Sequence, residues 1–147
     1  MKHTKTLFFI ALCASMASAM AQKAVKEAPG TCPEAAEMDH RHLQGHWRAD
    51  LEGQGMPVLL RLGPHPELAE SVRGTAQRGG TTAQVVGDVD AGALTLEESL
   101  NGTNISATWI GQVVDGSCGK EVRGTWSNAQ SPDRSIPFVL RKQAGQP

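Results

Sequence analysis

The chain has 147 residues, 16 glycines, 8 prolines, no tyrosine and a formal net charge of −1. That length fits one domain of ordinary size, and the charge lacks the Lys/Arg excess of a nucleic-acid binder. With 39% hydrophobic and 20% charged residues, the composition is that of a folded chain rather than a disordered one.

Residues 1–21 read as a secretory signal peptide. Lys2, His3 and Lys5 form a positive start, Leu7 to Ala14 an apolar stretch, and Ala17-Ser18-Ala19-Met20-Ala21 offers two A-x-A cleavage sites. The apolar stretch is too short to span a membrane. Cys13 raises a lipoprotein signal as the rival reading, but Leu12 replaces the small residue that such signals place before the cysteine. The expected location is therefore the periplasm or the outside of a bacterial cell, with no membrane span after cleavage. Cleavage removes two lysines and no carboxylate, which takes the charge from −1 to −3. It also removes Cys13 and leaves Cys32 and Cys118. Two cysteines in an exported protein predict one disulfide.

Residues 22–44 form a polar leader in which 34–38 can make a short helix, too short to be stable alone. From Gly45 onward the pattern becomes period-two alternation broken by Gly, Asn, Asp and Pro, the sequence form of antiparallel strands. Eight strands are expected near 45–52, 57–63, 70–78, 82–90, 93–99, 104–114, 120–127 and 135–142. Each carries one apolar parity set. In order these are Trp47/Ala49/Leu51, Val58/Leu60/Leu62, Val72/Gly74/Ala76 and Ala83/Val85/Gly87/Val89. Leu94/Leu96, Ile105/Ala107/Trp109/Gly111/Val113, Val122/Gly124/Trp126 and Ile136/Phe138/Leu140 follow. One dry face and one wet face mark an antiparallel sheet. Asn101-Gly102 and Asp115-Gly116 fall between strands and supply tight turns. The expected fold is all-β: an antiparallel up-and-down meander closing into a small barrel over 45–143, with a tail at 144–147. A sandwich or an open curved sheet is the alternative. In the meander, Cys32 before strand 1 and Cys118 between strands 6 and 7 reach the same barrel end.

Gly45-His46-Trp47, the Leu94-Thr95-Leu96-Glu97-Glu98 strand and the closing Gly124-Thr125-Trp126 and Pro137-Phe138-Val139-Leu140 strands resemble a diffuse group of exported bacterial calycin-like β-barrel domains. The resemblance covers roughly residues 45–142 and implies an exported calycin-like barrel. Ser106 to Gln112 is similar to the sixth-strand segment of avidin-type biotin binders. The missing tyrosine and the loop after strand 1 depart from the biotin site.

Three constellations could carry function. His40, His42 and His46 could ligate Zn or Cu, or be scattered histidines of a solvated leader, since they match no recognised ligand spacing. Trp47, Trp109 and Trp126 could line a small apolar pocket, or fill the core of a barrel whose interior is only just wide enough for side chains. Glu97 and Glu98 point to opposite faces and cannot act as a catalytic pair. Glu98 has the inward parity, which requires a strand-end position or a partner such as an inward arginine. No nucleophile motif is present: Ser117 lacks a G-x-S-x-G context, and a bridged cysteine is no nucleophile. The expectation is a non-enzymatic binding module without a cofactor, for a protein partner or a small apolar ligand. Inhibition of cationic lysozymes is one form of it, compatible with the acidic charge. A periplasmic metal-binding protein using the three histidines is the alternative.

Overall fold

A computed structural model describes residues 32–145. The expected signal segment 1–21, residues 22–31 of the leader and the last two tail residues lie outside the described residues. Eight strands form a closed antiparallel barrel in simple meander order. They are β1 Gly45–Leu51, β2 Val58–Pro64, β3 Val72–Arg78, β4 Thr81–Asp90, β5 Ala93–Ser99, β6 Ala107–Val113, β7 Glu121–Asn128 and β8 Ser131–Lys142. Closure is made by β8 against β1, with Trp47 opposite Lys142 and Leu51 opposite Phe138. No sheet edge is therefore left along the barrel wall, which removes a template for aggregation.

The inward faces are the apolar parity sets. Trp47, Ala49, Leu60, Val72, Val85, Leu96, Trp109, Val122, Phe138 and Leu140 are all buried in one cluster. Each fully buried Leu or Val contributes about 1.5–3 kcal/mol. Trp109 packs edge-on against Phe138, with ring centroids 4.9 Å apart. Room for these rings comes from inward glycines. Gly111 stands opposite Gly124, and a Cβ on Gly124 would lie 2.0 Å from the Ile110 carbonyl oxygen.

Two strand boundaries differ from the sequence reading for local reasons. Strand 6 begins at Ala107, and Ile105 is exposed. The Asn101 side chain accepts hydrogen bonds from the Thr103 and Asn104 amides, and Ser99 Oγ donates to the Asn104 carbonyl. These bonds curl 100–106 into a loop and take Ile105 out of register. Strand 8 begins earlier, at Ser131, because the β7–β8 hairpin projects beyond the wall with a register shift at Ser127/Asn128. Its polar tip carries no apolar parity to read.

One barrel end is closed by residues 32–44, a plug of two short turns. A 3₁₀ turn spans Ala35–Glu37, and α1 spans His40–Leu43. Asp39 caps α1: its side chain accepts from the Arg41 amide, while the His42 ring accepts from the Asp39 amide. The plug buries Met38 and Leu43. The Trp47 indole N–H donates to the Leu43 carbonyl at 2.7 Å. Cys32 and Cys118 form a disulfide with Cα atoms 4.8 Å apart, joining the plug to the β6–β7 turn. No helix among the described residues is long and apolar enough to cross a membrane.

Candidate functional site

Trp109 and Trp126 are cross-strand neighbours, and Trp47 lies apart from them beneath the plug. Trp47 and Trp109 are core residues, 1% and 0% exposed, and Trp126 is half-buried at the end opposite the plug. They do not share one pocket. Glu98 is the buried charged residue of the barrel, and a single oxygen, Oε1, collects its donors. Trp109 Nε1 donates at 2.8 Å, Trp126 Nε1 at 3.2 Å and Arg78 Nη2 at 3.3 Å. Arg78 also lies over the Trp126 ring, 4.8 Å from its centroid. The inward arginine that pairs with Glu98 is Arg78, two strands away at the end of β3. This cluster satisfies the buried carboxylate.

The histidines are separated as well. His42 is committed to the α1 cap. His46 lies on the outer wall, where its Nε2 accepts from Arg61 Nε at 3.0 Å. His40 lines a cleft beside the plug. Among the described residues no group of three or more His, Cys, Asp or Glu side chains is placed to hold a metal ion.

That cleft has a volume of about 560 Å³. One wall is the plug, with Met38, Asp39, His40 and Arg41. The other comes from Glu70 in the β2–β3 connection and from Asp88, Val89 and Asp90 on β4. Asp39 is already neutralised. Its hydrogen bonds and ion pair with Arg41 hold its carboxyl far below the usual carboxylate range. Glu70, Asp88 and Asp90 are exposed and stand in no ion pair among the described residues. Three uncompensated carboxylates therefore face one concave surface. Sequence reasoning missed this site because its acids come from two segments, the β2–β3 connection and the end of β4, that β3–β4 pairing brings together, with the plug as the facing wall. The one available signal was Asp39 to His42, a capping pair that marks a helical turn ahead of the barrel.

Apolar side chains are also exposed at the opposite end. Met56 is 59% exposed in the β1–β2 connection, and Leu100 and Ile105 are exposed in the β5–β6 loop. Leu100 and Ile105 line a shallow groove with Asn128 to Gln130. No protein-family model and no curated protein matches the chain.

Proposed function

We propose that this protein is an exported, non-enzymatic binding module that captures a cationic protein surface in the cleft beside its plug. The observation that carries the reading is the trio Glu70, Asp88 and Asp90, unpaired among the described residues on one concave wall. Lysine or arginine side chains entering there would gain three charge partners without displacing an internal cation. Complementary charge raises association rates and fixes orientation more than it adds raw affinity. A lysozyme-inhibitor-like role is one instance, because lysozymes of that kind present basic surfaces. The calycin-like resemblance and the −3 charge of the exported chain agree with it.

The packed interior gives little support to an apolar ligand inside the barrel, since Trp47 and Trp109 already fill it. The metal reading is weakened by the separation of His40, His42 and His46. A second reading places a protein partner on Leu100 and Ile105 at the open end, favoured by their exposure.

Calorimetric titration with a cationic lysozyme and with a hexa-arginine peptide tests the proposal. Binding should weaken steeply with added salt, and the triple variant Glu70→Gln, Asp88→Asn, Asp90→Asn should lose at least about tenfold in association rate. Salt-insensitive binding, or binding lost in Leu100→Ser with Ile105→Ser but not in the triple variant, would overturn the cleft in favour of the open end.

A further inference from the structure

The plug is attached to the barrel unevenly. Its C-terminal end runs straight into β1, and two hydrogen bonds fix it there: Trp47 Nε1 to the Leu43 carbonyl and Lys142 Nζ to the His42 carbonyl. Residues 32–41 are different. Among the described residues, their hydrogen bonds all stay within the plug. What joins this stretch to the barrel is the buried Met38, the partly buried Ala35 against the Gly92 turn, and one covalent bond.

Met38 is 2% exposed. It sits on Gly119, where a Cβ would fall 2.3 Å from its sulfur. The bond is Cys32–Cys118. Burying one methionine and part of one alanine does not offset the conformational entropy of fixing ten backbone residues. The covalent bond is what makes that ordering affordable. It is also open to attack, because Cys32 is exposed and Cys118 only half-buried. Exposed disulfides are the labile and regulatory class.

We propose that Cys32–Cys118 is a redox-operated strap. Oxidised, it holds residues 32–41 across the barrel end. A dithiol reductant attacks one sulfur through a mixed disulfide; the reductant leaves as its own disulfide, and both cysteines end as thiols, each gaining one electron and one proton. The freed stretch then lifts away while the closed barrel persists. Met38, Asp39, His40 and Arg41 leave with it, so one wall of the cleft is lost. The consequence for binding rests on the cleft reading above; the release of the plug does not.

Methionine oxidation reads the release directly. Met56 is exposed and serves as the internal reference. In the oxidised protein, dilute peroxide should convert Met56 and spare Met38. In the Cys32→Ser, Cys118→Ser variant, and in wild type reduced with dithiothreitol and alkylated, Met38 should oxidise at least about tenfold faster, approaching Met56, with the tryptophan near-UV signal of the barrel retained. Continued protection of Met38 in a folded, reduced barrel overturns the strap. So does loss of the barrel signal in both preparations, which would make the bridge a global staple. Hexa-arginine titration of the same samples separates the two ideas. Absent binding to the oxidised protein defeats the cleft reading alone, whereas equal binding before and after reduction defeats the strap's control of it.

Discussion

Replacing Glu98 tests the one ionic cluster inside the barrel. In Glu98→Leu the shape is nearly kept and the acceptor is removed. Trp109 is 0% exposed, so its indole N–H finds neither water nor another acceptor. An orphaned buried donor costs about 1–3 kcal/mol. Trp126 and Arg78 are partly exposed and regain water, so losing their bonds adds only about 1 kcal/mol. Part of the total is returned, because the leucine has no charge to desolvate. The expected net loss is about 3 kcal/mol.

Glu98→Gln separates charge from geometry. The amide oxygen can still accept from Trp109 and Trp126, and only the charge assistance disappears. Charge-assisted bonds are roughly twice as strong as neutral ones, so the cost should be about 1 kcal/mol. Urea unfolding monitored by tryptophan fluorescence measures both, and the slope of the transition should not change. A leucine variant within about 0.5 kcal/mol of wild type would show that the indole donors are satisfied without the carboxylate. Equal losses in the two variants would show that the charge, and not the acceptor position, is what the core requires.

Three further outcomes follow from the same geometry. Gly124→Ala places a Cβ 2.0 Å from the Ile110 carbonyl oxygen, so β6 and β7 must separate and urea unfolding should record a loss of about 3 kcal/mol. Met38→Ala empties the seat on Gly119 and should cost about 2–3 kcal/mol in the oxidised protein; a loss below about 0.5 kcal/mol would mean the plug is not packed there. Burial, with a smaller contribution from nearby Lys120, pushes the Lys142 ammonium below its ordinary value of 10.5. The unfolded chain therefore binds more protons between the lowered value and 10.5, and stability should rise with pH across that window. Thermal melts of wild type against Lys142→Met should show that rise in wild type and not in the variant.

Much of the barrel was legible because an antiparallel wall with one dry face writes its register into residue parity. Trp47, Leu60, Val85 and Leu96 could be assigned inward from spacing alone, and the same parity left Glu98 either at a strand end or inward with a partner, which the structure resolves as an inward carboxylate paired with Arg78. Parity fails where local hydrogen bonds outrank it. Ile105 continues the alternation of β6, yet Asn101 closes the loop before the strand begins. The plug was less legible for a different reason. Met38 and Leu43 lie five residues apart in a polar stretch, with no period-two or helical repeat to flag them. Leu43 is buried where the chain enters β1 and Met38 in a stretch tied by the disulfide to the β6–β7 turn, so sequence could predict the bridge without predicting what packs beside it. The cleft inherits that opacity: β3–β4 pairing sets Glu70 on one wall with Asp88 and Asp90, and Asp39 and Arg41 of the plug form the other. One wall of the proposed cleft is therefore formed by the segment that carries the weakest sequence pattern, and the strongly patterned barrel is the support on which that segment is docked.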